Sequence, residues 1–435
     1  MPYPTIRTGR PRASICLVAI VALTGCAAIH REQAPEVMFN TTTPVGFQSV
    51  RYTNGYASGD ARAIASRFSE TLRRRRAASM DGALNILALS GGGAGGAFGA
   101  GALVGLSRRG ERPQLDIVTG VSAGALIAPF AFLGPTWDGQ LADAFSGART
   151  EHLLGSRGIG ILFRPGIYGS EPLVDLVNHF VTDELIQAVA QQAAAGRLLL
   201  VATTDLDTQE TVIWDMGKIA AHGGERARVL FRSVLVASAS IPGVFPPIVI
   251  PVENAGVRYD EMHVDGDTTV PFFVAPARAY VRPFDANELK GTNIYVLVNG
   301  QLGGVPQTTP VDTISILSRS VSTTLIHLAR ANVLLTSEFA RKYDMNFRFS
   351  SIPIAYPFRG PLDFHESSIR VLFNYGADCA RKGRLWTTAV EQAMTRGQAA
   401  ITAGLEKPQA ADVHATQSCP LDAVSAPLQS TAQLN

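Results

Sequence analysis

Two short stretches carry side chains suited to covalent chemistry: Gly120-Val121-Ser122-Ala123-Gly124 and His263-Val264-Asp265-Gly266-Asp267. The serine is preceded by the apolar run LDIVT and followed by the apolar ALIAPFAFLG. A Gly-x-Ser-x-Gly in that context has the form of a nucleophile elbow, a tight strand-to-helix turn in which Gly120 and Gly124 let the backbone bend. Such a turn presents Oγ above the sheet edge, at a helix N-terminus whose dipole favours developing negative charge. Asp265-Gly266, after a short apolar strand, places a carboxylate on a turn from which it could take the serine's proton. Attack on an ester also creates an oxyanion that needs two or more N–H groups aimed at one point. Residues 84–101, LNILALSGGGAGGAFGAG, offer them: Gly91, Gly92 and Gly93 follow one another at a second strand-to-helix junction, with no side chain to block close approach.

Other chemistries fit parts of this pattern. Gly91-x-Gly93-x-x-Gly96 has the spacing of a dinucleotide fingerprint, yet the acid such a site needs at the end of the next strand is missing, since Asp116 opens that strand. No Gly-Lys-Ser/Thr follows the glycines, which excludes a phosphate-binding loop of the Walker type. His152, His179, His222, His263, His327 and His365 all follow Ser122, so an ordinary Ser-Asp-His triad stays open, with His263 nearest to the aspartate. There is no HExxH, no CxxC and no clustered ligand set, so neither a metal nor another cofactor is inferred.

The elements that must position these residues are legible as alternating strand and helix patterns. LNILALS, LDIVTG, RLLLVATTD, TVIWD and NIYVLVNG read as strands, nearly all apolar and therefore covered on both faces. AFGAGALVGLSRR, SAGALIAPFAFLG and RARVLFRSVLVASAS read as helices between them. The pattern predicts an α/β domain over residues 83–280, with a central, largely parallel sheet between helices. Residues 281–403 predict a mixed extension that packs on the same sheet: a helix over 311–343, a strand MNFRFSSIPI, and a helix opened by an Asp363 N-cap with Glu366 three residues later. Residues 27–82 read as a tether with a helical lead-in over 61–76, and the aperiodic residues 404–435 as a disordered tail.

The bulk composition fits a globular protein. Of 435 residues, 46% are hydrophobic and 17% charged, with a net charge of +2, a balance that points to no nucleic-acid partner. Residues 73–76, four consecutive arginines, read as a solvated helix face. At the N-terminus Arg7, Arg10 and Arg12 precede the apolar ASICLVAIVA and then LTGC, an export signal. Leu-Thr-Gly-Cys resembles a bacterial lipobox, which implies that residues 1–26 form a lipoprotein signal segment whose Cys26 is lipidated and becomes the mature N-terminus. Ala27 after the cysteine then implies the outer membrane of a bacterial envelope. Cys379 and Cys419 would remain in the mature chain, where an oxidising compartment permits them to pair.

Over residues 84–276 the three motifs, in this order, resemble the patatin-like phospholipase family. LALSGGGAGGAFGAGAL resembles its oxyanion stretch, DIVTGVSAGAL its elbow, and ASASIPGVFPPI with HVDGD the segment that ends in its aspartate. The resemblance implies a patatin-like three-layer α/β fold and a Ser-Asp dyad without histidine. Ser122 would be the nucleophile, Asp265 the base, and Gly91, Gly92 and Gly93 the oxyanion donors. It implies a membrane lipid or related acyl ester as substrate. The sequence departs from the family twice: Gly95 stands where a cation is usual, and Asp267 where the family has a small residue. Those departures motivate an alternative, a non-catalytic envelope lipoprotein that uses a degenerate site to bind lipid or a protein partner.

Overall fold

Successive residues of the strand Asn85–Leu89 point into two different cores: Leu87 and Leu89 into one, Ile86 and Ala88 into the other. The period of two along an apolar strand requires cover on both faces, and the computed structural model of the protein supplies it. The structure describes residues 31–388 and 390, apart from 40, 54–58, 79–83, 148, 150–152, 154–167, 278–279, 281–284 and 305–307.

Among the described residues the sheet has ten strands: β1 (Thr43–Pro44), β2 (Arg51–Thr53), β3 (Asn85–Leu89), β4 (Ile117–Val121), β5 (Leu198–Asp205), β6 (Glu210–Asp215), β7 (Ile248–Asn254), β8 (Val257–Asp265), β9 (Asn293–Gln301) and β10 (Asn346–Ile352). Their order is β1-β7-β8-β5-β4-β3-β9-β10, with β6 pairing with β5 and β2 with β6. The block β5-β4-β3-β9-β10 runs parallel. On the other flank β8 runs antiparallel to β5, and β7 antiparallel to β8. The fold is thus α/β, with a mixed sheet between two helical layers.

One layer holds α2 (Gly96–Arg109), α3 (Ala123–Leu133), α4 (Asp138–Phe145), α5 (Glu171–Phe180), α6 (Gly224–Ser238) and α8 (Glu366–Arg381). The opposite layer holds α1 (Gly59–Ala78) and the long α7 (Thr313–Lys342). Glycines set the closeness of α2 and α8: a Cβ on Gly101 would lie 2.0 Å from the Phe373 carbonyl oxygen, and one on Gly376 2.2 Å from that of Phe98.

Three readings of the sequence change. Residues 27–82 are not a tether throughout: Ile64, Phe68 and Leu72 of α1 are buried in the second core, and β1 and β2 extend the sheet. The helical amphipathicity was visible, but not the sheet face it covers. Helix α8 is capped by His365, not Asp363, and without a side-chain cap, because the Asp363 carboxylate accepts from His365 Nδ1 instead. The arginine run is divided. Arg73 and Arg74 are solvated beside Glu70, whereas Arg75 pairs with Asp116 and Arg76 donates to the carbonyls of Asn287 and Lys290.

Beyond the mixed flank, β9 lies between β3 and β10, α8 packs on α2 and α7 on the opposite face, so these described elements after residue 284 share the sheet and both cores. Cys379 is fully buried and disulfide-bonded. Cys26, Cys419, the export signal and the tail lie outside the described residues.

Candidate active site

Two strands approach each other along one edge of β5 and stop at adjacent residues. Val121, the last residue of β4, pairs with Ala202, and Asp265, the last of β8, pairs with Thr203. The other edge of β5 is taken by β6 from Leu200 to Asp205, so β4 and β8 must share the first. Their ends therefore meet, and the residue after Val121 faces Asp265. Ser122 Oγ donates to Asp265 Oδ2 at 2.6 Å, and both residues are buried, each 2% exposed.

The elbow around Ser122 is sterically tight. Ser122 has φ 53° and ψ −126°, a left-handed backbone uncommon for a residue with a Cβ. A Cβ on Gly124 would lie 2.3 Å from the Leu89 carbonyl oxygen, and one on Gly120 2.6 Å from that of Gly124, so neither position accepts a side chain. The strained turn is tied down by a residue that the sequence patterns did not reveal. Ser238, at the end of α6, accepts the Ser122 N–H at 3.0 Å and donates to the Ala202 carbonyl at 2.7 Å. A serine inside an otherwise apolar helix terminus is the only signal that could have found it.

Asp265 is held from several sides. Its Oδ1 accepts the Asp267 N–H at 2.9 Å, its own N–H donates to the Ser240 carbonyl at 3.0 Å, and its carbonyl accepts from Thr204 Oγ1 at 3.0 Å. Burial pushes its carboxyl up to about 7, against the opposing effect of the hydrogen bonds from Ser122 and the Asp267 N–H. Asp267 is also pushed well above the usual carboxyl range, by burial and then by the charge of Asp265. Gly266 is pinned between them, since a Cβ there would lie 2.6 Å from the Ala202 carbonyl oxygen and 2.8 Å from Val121 Cγ1.

The glycine turn lies beside this pair. Gly92 has φ 146° and Gly93 φ 53°, conformations that glycine adopts without a Cβ penalty. The N–H groups of Gly92 and Gly93 donate to no group among the described residues, and Gly93 lines the same cavity as Ser122. Gly91 departs from the expectation of three donors: its N–H is spent on the Pro271 carbonyl at 3.2 Å and also reaches the Asp267 carboxylate. The next N–H along, that of Ala94, is taken by the Pro361 carbonyl at 2.8 Å. Gly95 is glycine for a local reason, because a Cβ there would lie 1.9 Å from the Asn299 carbonyl oxygen.

The cavity is open to solvent, and apart from Ser122 its walls are apolar or glycine. Leu126 of α3, Phe145 of α4, Leu173 and Leu176 of α5, Phe245 and Phe364 form much of them.

His263 does not join the pair. It is fully buried, with Nδ1 3.0 Å from Thr203 Oγ1 and Nε2 3.3 Å from Glu261 Oε2. Burial alone would raise the Glu261 carboxyl, but hydrogen bonds from Arg51 and His263 outweigh it and hold the group well below its usual range. Among the other described histidines, His222 packs on Phe47, His179 on Phe180, and His365 on Asp363. Asp116 lies at the opposite end of the strands from the glycine turn, where it binds Arg75 and the Asn85 N–H. That placement removes the dinucleotide reading.

Residues 87–276 match the family model of the patatin-like phospholipases. No curated protein matches the chain. Among solved structures, VipD from Legionella pneumophila is similar at 13% identity over 69% of this chain and 67% of that one, with a TM-score of 0.30. That likeness is too loose to bear on the fold or the site. The family match spans the glycine turn, the elbow and the aspartate, the last two carried by strands that end side by side on β5. Residues 87–276 of this chain are accordingly similar to a patatin-like phospholipase domain.

Proposed function

We propose that the protein is a serine acyl hydrolase that cleaves membrane lipids or related acyl esters through a Ser122–Asp265 dyad, on a chain anchored in a bacterial envelope by lipidated Cys26. The observation that carries this reading is the 2.6 Å hydrogen bond from Ser122 to Asp265 at the wall of an apolar cavity.

Ser122 Oγ attacks the ester carbonyl carbon while its proton passes to Asp265 Oδ2. The carbonyl oxygen becomes an oxyanion, which the Gly92 and Gly93 N–H groups stabilise together with the N-terminal end of α3. Collapse breaks the ester C–O bond, and the departing alkoxide takes the proton from Asp265. Water then attacks the acyl-Ser122 ester, giving its proton to Asp265. The second collapse releases a carboxylic acid and returns the proton to Oγ. A base raised to about 7 suits this exchange, because roughly half of it is ionised at neutral pH and it is basic enough to accept a proton. The cavity walls would take the acyl chain, at about 0.8 kcal/mol per buried methylene.

Among the described residues no helix is long and apolar enough to cross a membrane. Attachment in this reading rests on Cys26.

The test is hydrolysis of a chain-length series of nitrophenyl esters and of phospholipid vesicles by the full chain in detergent, with labelling by a fluorophosphonate. Ser122→Ala and Asp265→Asn should each lower turnover by at least about a thousandfold, and only Ser122→Ala should abolish labelling outright. Metabolic labelling with palmitate, lost in Cys26→Ser, tests the anchor. A wild-type protein inert towards all esters, with Ser122 unlabelled, would favour the envelope-binding alternative.

A further inference from the structure

We propose that Asp267 is a positioning residue that holds the glycine turn in register with the Ser122–Asp265 pair, an inference that rests on the acyl hydrolase reading and deepens it.

Asp267 sits two residues beyond Asp265, on the 3-10 turn Gly266–Thr268. Its main chain and side chain serve different halves of the site. The N–H donates to Asp265 Oδ1 at 2.9 Å and so fixes the carboxylate oxygen that Ser122 does not use. The side chain reaches the glycine turn. A Cβ built on Gly91 would lie 1.8 Å from Asp267 Oδ2 and 2.4 Å from Oδ1, so the carboxylate rests on the Gly91 Cα, and the Gly91 N–H reaches it as well.

The turn has two other supports. Asn299 of β9 binds Ser90 twice, N–H to Oγ at 2.8 Å and Nδ2 to the carbonyl at 2.6 Å, and its own carbonyl packs against Gly92 and Gly95. Pro361 accepts the Ala94 N–H. These two tie the turn to the sheet and to the segment before α8. Among the described residues that hold the turn, only Asp267 also bonds Asp265.

Donors stabilise an oxyanion only within about 3 Å of it, and displacements of roughly 0.5 Å already weaken a site. Three consecutive glycines have wide backbone freedom, so their alignment must be imposed by neighbours. Removing the Asp267 side chain leaves a gap on the Gly91 Cα and lets the turn shift relative to Ser122. Asp267 does not line the cavity, so acyl binding should be untouched. The loss belongs in kcat.

The experiment uses the full chain in detergent and a nitrophenyl ester. Asp267→Ala should lower kcat by about 10- to 100-fold with KM within about twofold, the signature of a weakened transition-state contact. Asp267→Asn, which keeps the volume and an acceptor for the Gly91 N–H, should retain kcat within about threefold. Gly91→Ala alone should be impaired because its methyl collides with the carboxylate. Combining it with Asp267→Gly should recover at least about tenfold, the methyl occupying the vacated space, a non-additivity that a purely destabilising pair would not show. Wild-type kcat in Asp267→Ala, a loss confined to KM, or a double variant no better than Gly91→Ala would each overturn the proposal. If the wild type turns over no ester, the acyl hydrolase reading fails separately. Amide hydrogen exchange over residues 88–96 then tests the clamp: faster exchange in Asp267→Ala supports it, and unchanged exchange refutes it.

Discussion

Ser122 Oγ and Asp265 Oδ2 are 2.6 Å apart although 143 residues separate them in sequence, because β4 and β8 end at neighbouring residues of β5, Ala202 and Thr203. The pairing is a property of strand register. It makes the pair sensitive to anything that changes the ionisation of Asp265 or moves either strand end.

The first consequence is a pH dependence. In the proposed mechanism Asp265 must be ionised to accept the serine proton, and burial raises it to about 7. On a short ester, log kcat/KM should fall with unit slope as pH drops below about 7 and level off above it. A flat profile from pH 5 to 8 would be inconsistent with Asp265 as the base.

The same shift appears in stability with a definite sign. A carboxyl whose folded value is raised binds its proton more tightly in the folded state. Its contribution is fully present below the unfolded value of about 3.9 and is lost as pH rises through about 7. Asp265→Asn is neutral at every pH. Its gain in Tm over wild type should be small near pH 4, grow up to about pH 7 and then stay constant, as read by thermal melts across that range.

Gly124 tests the fit of the elbow against the glycine turn. A methyl there would lie 2.3 Å from the Leu89 carbonyl oxygen and 2.6 Å from that of Ser90, both backbone atoms of the strand that leads into the turn. Gly124→Ala should cost about 1–3 kcal/mol in urea unfolding, as overpacking does. It should also lower kcat, since the strain falls on the segment that carries Gly91 to Gly93.

Leu176 faces the cavity from α5. Leu176→Trp should fill part of that space and reduce kcat/KM for long-chain esters by about tenfold or more, while an acetyl ester is cleaved as before. Equal losses on both would argue that the acyl chain lies elsewhere.

The buried network beside the site is structural. Arg51 pairs with Glu261, which also meets His263, in a region where Glu261 is 6% exposed and His263 fully buried. Arg51→Ala strands the carboxylate and should cost about 3–5 kcal/mol at neutral pH. Because Glu261 is held below its usual range, its contribution is present above about pH 4.3 and is lost as pH falls. The gap between wild type and variant should therefore close under acid.

Much of the local structure was legible in the sequence. The strand-elbow-helix around Ser122, the glycine turn, and the strand and helix texture from Leu84 to Gly300 follow from neighbour sterics and from the period of apolar residues, which act over a few positions. The same signals named Ser122 and Asp265 as the pair to watch. They did not place residues 27–82 on the sheet, because amphipathicity marks a face to be buried and not the surface that buries it.

What the tertiary structure decided is everything that depends on which strands lie side by side. His263 and Asp265 share a strand and its alternation, yet the first is held by Thr203 and Glu261 and only the second reaches Ser122, at the point where β4 stops and β8 begins to pair with β5. Ser238, Asn299 and Pro361 serve the site from three distant segments, and Gly91 gives up its N–H to Pro271. A sequence pattern records how often a residue turns to the core. Strand order, end-to-end register and the close approach of carbonyls to glycine Cα atoms arise only when segments far apart in the chain pack at one edge.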